Sequence, residues 1–259
     1  MGRNEEVWIV RALPGAKTRE DLREHILSRG CFSQVANERI YQVWFANAPR
    51  YLFRVAHRKY RIADRKLCDV GCSYGMNLPF CSIGSYGVEA DEEQVKFARS
   101  IGLEVFQRDV VNDGLSDLPK VEVVWCCAVL EHVDSPHVFL RRIYDLLVPE
   151  GLLMLYVPTI PSFPRMRRLP RIGKYFSWHL ASDHVNAFVP STLRFTCERA
   201  GFRTVELSPF YPRPWGLLNH TPGFRSLLDG CMYVGRKIHA WGYPQKATRR
   251  VTGKYGVRS

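Results

Sequence analysis

The chain has 259 residues, 46% apolar and 24% charged, which suits one large α/β domain with additions or two small domains and is ordinary for a soluble globular protein. No run of eighteen apolar residues occurs, so no membrane span is expected. The start, MGRNEEVWIV, lacks the basic flank and apolar core of a secretory signal and has Glu6 where a myristoylation signal needs Ser or Thr. The net charge of +12 lies in two stretches: residues 161–182 carry five basic residues and no acid, and residues 230–259 carry seven and no acid. Such stretches suit solvated loops or an anionic partner: a phosphorylated or carboxylated substrate, a lipid surface or nucleic acid.

In chain order, residues 1–60 form an N-terminal extension, mainly helical. Within it, residues 18–30 read as a helix capped by Thr18 and stopped by Gly30, and residues 36–60 as a helical pattern interrupted by Pro49. Residues 61–259 form the main domain, in which strands and helices alternate from residue 66. LCDV (67–70) is a short apolar strand entering a glycine turn. Residues 74–81 start a helix that Pro79 keeps short or irregular. SYGVEA (85–90) is a strand. Residues 91–102 form a helix with Asp91 and Gln94 as a capping pair. LEVFQ (103–107) and VEVVWCC (121–127) are strands. Residues 135–147 form a helix with Ser135 as N-cap, Pro136 at the first position, and Phe139, Ile143, Leu146 and Leu147 facing inward. Strand 152–158, helix 190–201 and strands 202–207 and 231–238 follow. This alternation predicts a doubly wound, mostly parallel α/β sheet of seven strands.

Eight cysteines are present, with no C-x-x-C pair, and several lie in apolar runs such as VVWCCAVL. They read as reduced thiols of a cytoplasmic protein, not as zinc ligands.

In doubly wound sheets ligands bind beyond the carboxyl ends of the strands. Here those ends carry Asp69, Gly71, Cys72, Ser73 and Gly75, then Glu89 and Ala90, then Asp109 and Val110, then the run from Ala128 to His132. Gly71 and Gly75 allow a sharp turn and close backbone approach. Glu89, twenty residues past Asp69, is placed to accept hydrogen bonds from both hydroxyls of a ribose. Asp109 can accept from an adenine amino group, and Phe106 or Val110 can pack on the ring. A pyrophosphate site needs G-x-G-x-x-G, whereas this loop has an acid, Asp69, and no second glycine at residue 73. An acid repels a pyrophosphate and attracts a cation. S-adenosylmethionine, with a sulfonium and an amino group and no phosphate, fits that charge.

On these residues the sequence resembles the class I S-adenosylmethionine-dependent methyltransferases. DVGCSYG resembles the family's D/E-x-G-x-G-x-G motif, GVEADEEQVKFAR its ribose-binding segment and QRDV its adenine-reading segment. The blocks 123–158 and 183–207 are similar to the branch that contains the ubiquinone-biosynthesis O-methyltransferases. The resemblance spans roughly residues 60–208 and implies a Rossmann-like sheet with an antiparallel last strand. There are two departures: Ser73 replaces the middle glycine, and Pro149-Glu150-Gly151 replaces Pro-Gly-Gly, so that turn is expected to need one glycine. Some members of the branch carry a further Glu three residues before the Glu-His pair and bind a divalent cation there. This chain has Ala128 at that place, so no metal is expected.

Methyl transfer to oxygen needs a base. The candidates are His132, after the fourth strand, and His184, in DHVNAF, a segment expected to return over the mouth of the site; either imidazole could instead brace a loop. Glu131 is expected to anchor a helix terminus or loop, and Tyr41 to close over the cofactor or pack. Insertions 159–183 and 209–230 read as caps that set specificity. The expected function is methyl transfer to an oxygen of a small-molecule acceptor; the basic stretches suit an anionic or lipid-like acceptor and a peripheral membrane contact. Modification of RNA or protein is the alternative. It is disfavoured by the absence of the N-P-P-Y type motif and of an appended nucleic-acid module. A non-catalytic adenosyl-binding protein is the third reading.

Overall fold

The computed structural model describes residues 52–75, 77–100, 103–160, 183–209 and 230–238. The expectations for residues 1–51, including Tyr41, and for most of both cap insertions lie outside these residues. No helix among the described residues is long and apolar enough to cross a membrane.

The elements are helix α1 (52–60), strands β1 (Leu67–Val70) and β2 (Tyr86–Glu89), helix α2 (Glu92–Ser100), strands β3 (Val105–Gln107) and β4 (Val121–Cys127), helix α3 (Pro136–Leu146), strand β5 (Leu147–Pro158), helix α4 (Pro190–Arg199), and strands β6 (Phe202–Pro209) and β7 (Gly230–Lys237). The seven strands form one sheet in the order β3-β2-β1-β4-β5-β7-β6. Strands β1 to β5 run parallel, and β7 is antiparallel to both neighbours. This is the expected Rossmann-like sheet. Strand order reverses between β1 and β4, so a crevice opens beyond their carboxyl ends.

Each face of the sheet buries its own core. Cys68, Val70, Val124 and Cys126 face α3 and α4 through Phe139, Ile143 and Leu193. Leu67, Val123, Trp125 and Met154 face α1, where Phe53 meets Trp125 edge-on at 5.4 Å. Alternation along the strands divides the two sets, and burial on both faces accounts for the near-continuous apolar runs in the sequence. The seven described cysteines are all free, and six of them are buried.

Local signals hold with two adjustments. Asp91 accepts from the Gln94 backbone N–H at 2.9 Å, the expected cap of α2. Ser135 precedes α3 but makes no side-chain cap, so Pro136 alone marks the start. Residues 74–81 contain only the short 3₁₀ turn Leu78–Phe80.

At the Pro149-Glu150-Gly151 turn, which lies inside β5 where its register with β4 shifts, Glu150 adopts φ 61, a left-handed conformation that a glycine takes without strain. Gly151 is needed for space, because a Cβ there would fall 2.9 Å from the Val148 carbonyl oxygen. The turn therefore has use for two glycines and has one.

Candidate active site

The crevice holds a cavity lined from four strand ends: Val70 and Gly71 at the end of β1, Val88, Glu89 and Ala90 at β2, Arg108 to Asn112 after β3, and Val129, His132, Val133 and Asp134 after β4. Of the expected residues, Gly71, Glu89, Ala90, Asp109, Val110 and His132 line it. Asp69, Cys72, Ser73, Gly75, Ala128 and His184 do not.

The glycine loop forms one wall. Backbone N–H groups of Gly71 and Cys72 donate to the Val88 carbonyl at 2.8 and 3.2 Å, binding the loop to β2. Gly71 and Gly75 have φ of 70 and 78. Ser73 keeps the turn at φ 52, a conformation that costs a residue with a Cβ about 1–2 kcal/mol. Ala128, closing β4, is held at φ 57, with its N–H on the Tyr156 carbonyl at 2.8 Å. Both strained residues meet the lining, Ser73 through its N–H on Glu89 and Ala128 as the residue before Val129. Cys72 turns away: its Sγ fills the space beside Gly87, where a Cβ would fall 2.5 Å from it.

The Glu89 carboxylate is fixed from three sides. It accepts from the backbone N–H of Ser73 at 2.8 Å, Ala90 at 2.8 Å and Asp91 at 3.1 Å. These donors aim it at the cavity before any ligand arrives. Asp109 accepts from Val111 N–H at 2.9 Å, Asn112 N–H at 3.2 Å and the Asn112 side-chain amide at 2.6 Å. Burial alone would raise its carboxyl pKa, but the Asn112 and Val111 donors outweigh it and hold the group below the usual carboxylate range. Most of its acceptor capacity serves its own turn. Val110 lines the cavity, whereas the Phe106 ring meets Tyr86 edge-on at 5.3 Å.

Asp69 lies behind the glycine loop, 2% exposed, accepting from the Asn77 side-chain amide at 3.0 Å. Burial raises its carboxyl to about 7; the Asn77 hydrogen bond acts the other way, and Glu89 adds to the rise. No cation compensates it among the described residues. A cationic group brought into the crevice would be favoured, and a pyrophosphate repelled. The apolar walls, the preset Glu89 and the Gly71 cradle together fit an adenosyl sulfonium ligand.

Beyond β4 the chain meets DHVNAF, as the sequence suggested. The Glu131 backbone carbonyl accepts from Val185 and Asn186 N–H, both at 3.0 Å, and Asn186 donates to the Val133 carbonyl at 2.6 Å. The loop anchor expected of Glu131 is thus its main chain. Its carboxyl is 1% exposed, and neither oxygen hydrogen-bonds to another residue among those described. Burial raises it to about 8, its own backbone N–H acts the other way, and Asp183 adds to the rise.

His132 is exposed on the cavity wall, with Nδ1 3.0 Å from the Asp183 carbonyl oxygen. A carbonyl can only accept, so that contact requires the proton on Nδ1 and leaves the Nε2 lone pair as the basic position. The His184 ring meets His132 edge-on, with centroids 4.8 Å apart. Glu131, His132 and His184 are the described residues placed to hold a metal, their ligand atoms lying within 4.8 Å of one another. Four ligands at about 2.1 Å from a zinc ion would stand about 3.4 Å apart.

Sequence reasoning gave no role to Asn77, Asn112, Val129 or Asp183. Asn112, three residues after Asp109, carried a readable Asx-turn signal. Val129 and Asp183 carried none.

Comparison with known proteins adds to this geometry. A family model described as a methyltransferase domain matches residues 38–207. A ubiquinone biosynthesis O-methyltransferase from Ruegeria pomeroyi is 34% identical over 164 residues, 59% of this chain and 65% of that protein. One from Glaesserella parasuis is 26% identical over 167 residues, 58% of this chain and 70% of that protein. Among solved structures, a SAM-dependent methyltransferase from Archaeoglobus fulgidus has the same fold. Its TM-score is 0.54 at 19% identity, covering 75% of this chain and 99% of that one. Magnesium protoporphyrin IX methyltransferase from Synechocystis, solved with bound SAH, aligns at TM-score 0.50 and 16% identity, covering 76% of this chain and 84% of that one.

Proposed function

The chain belongs to the class I S-adenosylmethionine-dependent methyltransferases, and from that premise we propose that it methylates an oxygen of a small-molecule acceptor. S-adenosylmethionine supplies an electrophilic methyl on a sulfonium whose leaving group is already activated. The protein's tasks are then to bind, to align the nucleophile and to take a proton. In this reading Glu89 holds the ribose hydroxyls, Val88, Val110 and Val129 flank the base, Asp109 uses its remaining acceptor capacity on the adenine, and Asp69 offers the negative field that a cationic ligand needs.

The observation that carries the oxygen assignment is His132. It lines the cavity with Nδ1 committed to the Asp183 carbonyl and Nε2 left basic. Such an imidazole suits a phenol or alcohol, which must lose a proton as the methyl–oxygen bond forms. The O-methyltransferase relatives support the same reading.

The test is transfer of tritiated methyl from S-adenosylmethionine into three pools: a bacterial small-molecule extract, total RNA and bulk protein. Label in a base-stable, phenol- or alcohol-derived small molecule is the expected result. Label confined to RNA or protein overturns the proposal.

A further inference from the structure

Asn112 lines the cavity beside Asp109, and the scheme above gives it no task. Its contacts define one. The Asp109 carboxylate has about four acceptor positions, two on each oxygen. Oδ1 accepts from the backbone N–H groups of Val111 at 2.9 Å and Asn112 at 3.2 Å. Oδ2 accepts from the Asn112 side-chain amide at 2.6 Å. The main chain therefore fixes one oxygen, and the Asn112 side chain fixes the other. A carboxylate oxygen cannot donate, so the NH₂ group of Asn112 is the end that faces Asp109.

The backbone beneath is closed as well. Asp109 N–H donates to the Asp113 carboxylate at 2.7 Å, and Asp113 N–H donates to the Asp109 carbonyl at 2.8 Å. Arg108, the adjacent cation in the chain, is engaged elsewhere: Nη1 donates to the Gln107 carbonyl and Nη2 to Asp117, both at 3.0 Å. Its backbone N–H reaches the Glu89 carbonyl at 3.0 Å, which ties this turn to the end of β2. Asp109 and Asn112 are both exposed on the cavity wall. Among the described residues, one acceptor position of the Asp109 carboxylate stays open, and it is on Oδ2, the oxygen that Asn112 holds.

We propose that Asn112 is a positioning residue for the cofactor and sets its selectivity at purine C6. Its amide holds Oδ2 of Asp109 so that the open position takes a hydrogen bond from an amino group. A 6-amino purine donates there. A 6-oxo purine sets an acceptor against an acceptor and leaves the carboxylate without its donor. Without the Asn112 amide, Oδ2 turns to water, and it must be stripped of that water and reoriented when the base arrives. Presetting the oxygen removes both costs from binding. The assignment presupposes adenine at Asp109, as in the functional reading, and is independent of what receives the methyl group.

The test is calorimetric titration of the full chain with S-adenosylhomocysteine and with S-inosylhomocysteine, its 6-oxo counterpart. The wild-type chain is expected to prefer the adenosyl compound by roughly 10- to 100-fold, the usual effect of one hydrogen bond to a charged group. Asn112→Ala is expected to shrink that preference about fivefold, through weaker adenosyl binding, with inosyl affinity held within about twofold. Asn112→Asp keeps the shape but sets a second carboxylate against the first, and it is expected to shrink the preference at least as much. It carries the test if the alanine variant does not fold. A merely structural Asn112 would weaken both compounds together, and an unchanged ratio in the Asn112 variants overturns the proposal. Asp109→Asn is the reference. A preference that falls there and in neither Asn112 variant strikes the proposal and keeps adenine at Asp109; a preference unchanged in all three removes both. Because no methyl transfer is measured, failure here is distinguishable from failure of the oxygen-acceptor reading.

Discussion

Val129 occupies the space that a side chain on Gly71 would need: a Cβ built on Gly71 falls 2.2 Å from Val129 Cγ2. The loop after β1 and the loop after β4 thus meet with no room for a methyl group, and both line the cavity. Gly71 also has φ 70, so a replacement there is strained twice. Gly71→Ala is expected to destabilise the fold by roughly 2–4 kcal/mol and to weaken S-adenosylmethionine binding more than tenfold. Thermal unfolding and calorimetric titration check this. Adding Val129→Ala should recover part of the stability, because it relieves the contact but not the backbone.

Glu89 is preset in the site by three backbone N–H donors. Glu89→Ala removes the acceptor and leaves those donors without it. Hydrogen bonds to a charged group contribute about 1.5–3 kcal/mol, so S-adenosylhomocysteine affinity should fall on the order of 100-fold. Unchanged calorimetric binding would remove Glu89 from the cofactor site.

His132 tests the chemistry separately from binding. His132→Gln should keep cofactor affinity within about threefold while lowering turnover of the identified acceptor roughly 10²–10⁴-fold, the usual contribution of a positioned base. Full turnover would reduce His132 to a brace for the Asp183 loop.

Asp69 makes stability depend on pH. Its folded carboxyl, at about 7, lies above the unfolded value near 3.9. Between those values the folded state binds more protons than the unfolded state. Its contribution is therefore fully present below about pH 4 and is lost as pH rises through about 7, with a slope near 1.4 kcal/mol per pH unit. Asp69→Asn should flatten that slope in a series of melting curves. An unaltered slope would show that the carboxyl is not the group responsible.

Glu150 offers a stabilising change. Its left-handed φ is strained, and its side chain makes only a 3.7 Å contact with Arg236 at the surface. Glu150→Gly should raise stability by roughly 0.5–1 kcal/mol, about 2 °C in melting temperature, once the added freedom of the unfolded chain is subtracted. Differential scanning calorimetry resolves a shift of that size.

The sequence by itself determined the order of elements and the cofactor class. Those signals are local: apolar runs for strands buried on both faces, Asp91 and Pro136 at helix starts, and an acid-flanked glycine turn followed at fixed spacing by Glu89 and Asp109. Only the tertiary structure decided which of these side chains meet. Periodicity does not encode that Val129 sits over Gly71, that Asp109 spends most of its acceptor capacity on Asn112 and Val111, or that Cys72 turns away from the cavity. His132 and His184 are fifty-two positions apart and touch because the Glu131 carbonyl fixes residues 185 and 186. A residue's ionisation depends on how much water its neighbours exclude, and those neighbours come from segments that are distant in the chain.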